Sequence, residues 1–203
     1  MFGKMYNFFS GTKEEANPNQ GFTNQADVLS HVKLEEGEKG ICAQLANLYT
    51  KYQMDGSPSS TPDFLNGTSQ EIYDAALKER RHQEDLFKHG KDGLHSAFVD
   101  KKAPYFSSSD TVKVSDLNSE SLAQIVDEAG PNNIVTYPVK NAGRARHTIA
   151  FGKSKIGDSC YSFSANFPPK EHPCNAFTEL AKEITELGDQ DKPVIIATHY
   201  MRR

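Results

Sequence analysis

Cys42 lies in Gly40-Ile41-Cys42-Ala43-Gln44-Leu45, where a helical apolar pattern begins: Leu45, Leu48, Tyr49 and Tyr52 follow at i, i+3, i+4, i+7 spacing. A cysteine in the first helical turn meets unpaired N–H groups and the positive end of the helix dipole. Both favour the thiolate and draw the thiol pKa below its free value near 8.5. The thiolate is the attacking species in covalent catalysis, so this placement suits a nucleophile. The plainer use of one cysteine there is a small buried apolar residue. His147 opens the strand-like run His147-Thr148-Ile149-Ala150-Phe151. Alternation puts its imidazole beside Ile149 and Phe151, bordering apolar surface as a general base requires, although a lone histidine there also reads as a core or edge residue. The next run, Ser162-Phe163-Ser164-Ala165-Asn166-Phe167, carries Ser162, Ser164 and Asn166 on one face. Hairpin pairing sets that run beside the His147 strand. Ser164 or Asn166 can then accept a hydrogen bond from the imidazole and fix its tautomer, or simply belong to a wetted sheet face.

A cysteine on a helix N-terminus, a histidine on a strand and a polar orienter one hairpin later give the chain order of papain-like enzymes. At these segments the sequence resembles the YopT/AvrPphB-type cysteine proteases, secreted bacterial effectors with a papain-like fold. GICAQL is similar to their Gly-Val-Cys-Ala-Gly-Leu nucleophile segment, and RHTIAFG to their His-Ala-Val-Ala strand. FSANF is similar to their Phe-Asp-Pro-Asn-Phe segment, which also leads into a helix and a closing strand. The layout matches over roughly residues 38–200, and about twenty residues carry the motif-level similarity. The resemblance implies an α+β, papain-like fold and a thiol hydrolase, a cysteine protease with Cys42 as nucleophile, His147 as base, and Asn166 or Ser164 as orienter. It implies no cofactor and no metal. It also implies a protein substrate, which can be a host protein, and delivery into a host cell by a signal-peptide-independent route.

The sequence departs from that pattern in two places. The family's catalytic Asp falls on Ser164, an uncharged orienter; Asn166 and, in the preceding turn, Asp158 are the alternatives. The family's Asn or Gln five or six residues before the cysteine falls on Gly37 and Glu36, and a carboxylate repels a developing oxyanion. The Cys42 backbone N–H remains, and Gln20, Asn24 or Gln25 can supply a second donor. Arg144 and Arg146 flank His147 and can hold an acidic substrate group or stand as solvated rim charges. The same thiol–imidazole pair also serves a deamidase or an acyl/glutamine transferase. A catalytically degenerate papain-like module that binds a host protein is the third alternative.

The elements that must position these residues follow from periodicity and punctuation. Residues 1–30, rich in Asn, Gln and Gly, read as an N-terminal arm or tail whose aromatics (Tyr6, Phe8, Phe9, Phe22) can dock on the body; residues 31–203 read as a single catalytic domain. A helix of about three turns spans Ile41–Tyr52 and stops at Asp55-Gly56-Ser57-Pro58. Thr68-Ser69-Gln70-Glu71 predicts a capped helix start, and the charged run Lys78–Lys91 a solvated helix face. Residues 92–114 read as irregular connection. Ser119 caps a helix through Leu122, Ile125, Val126 and Ala129, ended by Gly130-Pro131. Strands are expected at Ile134–Val139, His147–Phe151, Tyr161–Phe167 and Val194–His199, with a helix over Asn175–Leu187 before the last. Helices first and strands second argue α+β, with helices against one side of an antiparallel sheet.

Composition sets the outer bounds. The chain has 203 residues, 36% of them in the set AVILMFWYC, no Trp, and a net charge of −4 from 23 basic and 27 acidic side chains. Such a balance argues against nucleic acid as the main partner. No run approaches the roughly 18 apolar residues of a membrane span, and the N-terminus lacks a secretory pattern. Three cysteines cannot all pair within one chain, so a disulfide framework is excluded as the organising principle and a reducing compartment is expected. Cys160, His172 and Cys174 are the alternative for a metal, at a spacing that matches no zinc signature and lacks a fourth ligand. Neither the substrate nor the oligomeric state is legible.

Overall fold

The strand carrying His147 is apolar at both alternating positions, and that pattern calls for cover on both faces of its sheet. A computed structural model of the chain, describing residues 22–36, 40–55, 62–102, 105–108, 110–155 and 158–199, provides such cover. The elements run α1 (Gln25–Ser30), α2 (Cys42–Asp55), α3 (Ser69–Lys88), α4 (Ser96–Asp100), β1 (Tyr105–Ser108) and α5 (Ser119–Gln124). They continue with β2 (Asn132–Pro138), β3 (Arg146–Lys153), β4 (Cys160–Ser164), β5 (Phe167–His172), α6 (Thr178–Leu187) and β6 (Ile195–His199). The strands form one antiparallel sheet in the order β1-β6-β2-β3-β4-β5.

Alternation along β3 assigns the two faces. Ala150, with Tyr161 and Phe163 of β4, packs with α1, α2 and α3 through Val28, Leu45, Tyr49, Ile72 and Ala76. Ile149 and Phe151 pack with Leu122, Val126, Phe177, Leu180 and Ile184 of α5 and α6 and the residues around them. The expected one-sided arrangement is therefore corrected: α5 and α6 close the second face. Helix α2 is fixed by its aromatic stripe, where Tyr49 stacks on Phe163 with ring centroids 4.6 Å apart and planes 7° from parallel. Such pairs add about 1 kcal/mol beyond the area they bury.

Local chemistry explains most element boundaries. Thr68 and Glu71 form the expected capping box at the head of α3. Phe22 docks in the core, and α1 buries Val28 and Leu29, so the described end of the expected arm is built into the body. The positions of Tyr6, Phe8, Phe9 and Gln20 lie outside the described residues. The stretch read as irregular connection holds α4, with Ala97 and Phe98 buried, and the edge strand β1. The expected strand Tyr161–Phe167 breaks at Ala165-Asn166, where the chain reverses into β5. Its consecutive prolines, Pro168 and Pro169, fall where the register shifts between the Ser162–Lys170 and Ser164–Phe167 pairs, an irregularity on an edge strand that tolerates missing N–H donors. Among the described residues, no helix is long and apolar enough to cross a membrane.

Candidate active site

Three elements converge where β3 begins. Cys42 is the first residue of α2 and is half-buried; Leu45 N–H already bonds the Ile41 carbonyl, so the sulfur sits against the open first turn. His147 projects from β3 into the interior and is 5% exposed. The thiol and the imidazole face each other closely enough that each favours the other's charged form. Burial pushes the Cys42 thiol up. The His147 charge and hydrogen bond, together with the backbone N–H groups of Thr148 and Ala43, outweigh it and hold the thiol below its ordinary value. Burial likewise depresses His147, but the Cys42 thiolate and the Glu183 carboxylate outweigh it and the imidazole is pushed up to about 10. The favoured state of the pair is thiolate and imidazolium.

The other side of the ring is equally structured. His147 Nε2 lies 3.0 Å from Ser164 Oγ and 3.2 Å from Glu183 Oε1. Ser164 Oγ in turn donates to Glu183 Oε1 at 2.7 Å, and Asn166 Nδ2 donates to the same oxygen. These acceptors require a proton on Nε2, which leaves Nδ1 to face the sulfur. The Tyr137 ring, opposite His147 on β2, packs edge-on against the imidazole with centroids 5.6 Å apart. The ring is thus held by hydrogen bonds on one edge and by an aromatic wall.

All four residues expected from the sequence, Cys42, His147, Ser164 and Asn166, meet here, but Asn166 has a different part from the one expected. Its Oδ1 accepts from Gln25 Nε2 at 3.0 Å and its amide nitrogen faces Glu183, so it offers His147 no acceptor; that nitrogen stands 3.4 Å from His147 Nε2. The physical reason is the reversal at Ala165-Asn166, which takes Asn166 out of the strand alternation. Asp158 is exposed at the far end of the β3–β4 hairpin. The six residues from His147 to Lys153 put it about 20 Å from the imidazole, which removes it as an orienter.

Glu183 is the side chain at this site that the sequence reading missed. It lies on α6 between Leu180 and Leu187, at i+3 from one and i−4 from the other, and is 5% exposed. A carboxylate at such a position on an apolar stripe is the signal that would have found it, since buried acids are rare unless paired.

Of the proposed oxyanion donors, Asn24 is spent as the cap of α1, where its side chain accepts from the Asp27 N–H. Glu36 is exposed, and Gln20 and Gly37 lie outside the described residues. Gln25 reaches the site: its Oε1 accepts from the Ile41 N–H at 3.2 Å while its amide nitrogen holds Asn166. It bridges the residue before Cys42 to the turn beside His147. Arg144 and Arg146 line an open depression of about 450 Å³ with Pro138, Asp189, Lys192 and Pro193, and neither Cys42 nor His147 borders it.

The remaining cysteines correct one alternative and one expectation. Cys160 and Cys174 form a disulfide, so their sulfurs are not metal ligands, and pairing leaves Cys42 as the free thiol. No family model matches the sequence, and no curated protein does. The fold, by contrast, is similar to that in the crystal structure of the Pseudomonas avirulence protein AvrPphB, with a TM-score of 0.53 at 16% identity over 80% of this chain and 92% of that one. The architecture anticipated from three short motifs is thus an α+β, papain-like fold shared with AvrPphB.

Proposed function

We propose that the chain is a papain-like thiol hydrolase, a cysteine protease acting on a protein substrate. The observation that carries this reading is the buried His147, set beside the Cys42 thiol at the head of α2 and held through Nε2 by Ser164 and Glu183. The likeness of three motifs to YopT/AvrPphB-type proteases supports it. In the setting that likeness implies, the substrate is a host protein and the chain reaches it without a signal peptide.

The chemistry follows from the pair. The Cys42 thiolate adds to the substrate carbonyl carbon, forming a C–S bond as the C=O electron pair moves onto oxygen. The Cys42 backbone N–H at the helix N-terminus is a donor to that oxyanion. Collapse breaks the C–N bond, and the amine leaves with the proton from His147 Nδ1. Water then adds to the thioester, giving its proton to Nδ1, and C–S cleavage releases the acid and restores the pair. Throughout, Nε2–H stays bonded to Ser164 and Glu183, so the ring does not turn away.

The test uses the pH dependence of the thiol. Wild-type protein incubated with iodoacetamide near pH 6 should acquire one adduct at Cys42, at least about tenfold faster than glutathione does, and Cys42→Ala should acquire none. His147→Ala should lower that rate by about 100-fold. A wild-type rate equal to that of a free thiol would remove every enzymatic reading and leave the host-protein binding module. Labelling at the expected rate without cleavage of a denatured-protein mixture would move the assignment to a deamidase or an acyl transferase using the same pair.

A further inference from the structure

We infer that Glu183 is the charge-bearing positioning residue of this site, so that the triad is Cys42, His147 and a carboxylate supplied by α6 rather than by the strand after the histidine. The inference deepens the hydrolase reading and rests on it. Three donors converge on one oxygen, Glu183 Oε1: His147 Nε2 at 3.2 Å, Ser164 Oγ at 2.7 Å and Asn166 Nδ2. Ser164 is therefore a relay as well as a neighbour, accepting from the imidazole and donating to the carboxylate. A buried carboxylate costs several kcal/mol unless hydrogen-bonded and paired with a cation, and here the cation is the imidazolium that forms when Cys42 ionises.

The alternative is that Glu183 only ties α6 to β4 through Ser164. Geometry argues against this, because a structural tie needs no contact with the ring edge opposite the nucleophile. A neutral amide would serve Ser164 and Asn166 almost as well. Only the negative charge distinguishes a residue that stabilises the imidazolium. The charged and titratable side chains facing the ring are Cys42 across Nδ1, Glu183 across Nε2 and Tyr137 against its edge; Ser164 and Asn166 are the neutral polar groups.

Alkylation of Cys42 by iodoacetamide across pH 4–9, in wild-type protein and in Glu183→Gln, reads the thiolate without any substrate. Loss of the charge weakens the imidazolium and so raises the thiol pKa: the acid limb should move up by about one pH unit, and the rate near pH 5 should fall about tenfold. Ser164→Asp combined with Glu183→Gln returns a carboxylate to the Nε2 side and should restore the wild-type limb, which recovered packing alone would not do. A Glu183→Gln variant that melts with the wild type and has a superimposable pH profile would overturn the inference.

A further measurement keeps Glu183 in place and does not depend on those variants folding. In Cys42→Ala, NMR titration of the His147 ring should give a midpoint above the ordinary imidazole value near 6.5, since burial lowers it and Glu183 is the remaining negative charge. A midpoint at or below that value would also overturn the inference. A wild-type thiol with no enhanced reactivity defeats the hydrolase reading instead, so the two failures are separable.

Discussion

At the scale of single residues, the thiol–imidazole pair makes a prediction about pH. The Cys42 thiol is held below its ordinary value, with burial opposing and the His147 charge prevailing; His147 is pushed up to about 10. Thiolate and imidazolium therefore coexist between the lowered thiol value and about 10. Below the lowered thiol pKa, sulfur takes a proton and alkylation declines. Above the raised imidazole value the imidazolium is lost, so a hydrolase of the proposed kind loses the acid for its leaving amine, while alkylation of the bare thiolate does not decline. Expected is an acid limb shifted below that of a free thiol, so that between about pH 6 and 8 the rate climbs less steeply than the free thiol's roughly tenfold per unit. A slope of one over that interval would mean that the pair is not ionised. Much of this site was legible in the sequence, because a cysteine at a helix start and a histidine at a strand start are local patterns. Glu183 was not, because its partner stands 36 residues earlier and only the return of α6 across the sheet brings the two together. The role expected for Asn166 also differed, since one reversal at Ala165 moved its side chain off the strand face.

At the scale of elements, the charged run on α3 shows how composition can mislead. Lys78–Lys91 reads as solvated, yet Glu79 and Gln83 are buried. Glu79 receives Lys51 Nζ on both carboxylate oxygens, at 2.9 and 2.7 Å, as well as the Ser96 hydroxyl; Lys51 also reaches Asp100 at 2.7 Å. Gln83 accepts from Gln44, two residues past Cys42. This network binds α3 and α4 to the back of α2. Arg81, in the same run, is 70% exposed and pairs with Glu35 at the surface. The two sites should separate cleanly in urea melts. Glu79→Ala leaves Lys51 short of a partner in a largely dry site and should cost about 3 kcal/mol. Arg81→Ala should change stability by less than about 0.5 kcal/mol. Equal effects would mean that α3 rests on its apolar stripe alone. The helices and central strands were legible because their periods are strong. The short α4 and edge strand β1 were not, since four or five residues show no period and are set by what they pack against.

At the scale of the whole molecule, cysteine parity was the one global constraint visible from the start, and the structure divides the three residues into a disulfide pair and a free thiol. Cys160 on β4 and Cys174 before α6 close a loop with a sequence separation of 14, which contains the turn at Asn166 and all of β5. The bond therefore ties the strand carrying Ser164 to the segment that leads into the helix carrying Glu183, at the end of the sheet away from Cys42. A loop of that length stabilises by about 3 kcal/mol through the entropy removed from the unfolded chain. Reduction should therefore lower the melting temperature by about 10 °C for a chain of this size. A count of thiols checks the pairing first: the unreduced chain, unfolded in denaturant, should react with one equivalent of a disulfide reagent, and the reduced chain with three. Reduction below the melting transition should leave the Cys42 alkylation rate near its original value, because the core on both sheet faces and the Glu183 contacts remain in place without the bond. A rate that collapses on reduction while the fold persists would make the disulfide part of the active-site support rather than a staple on the sheet.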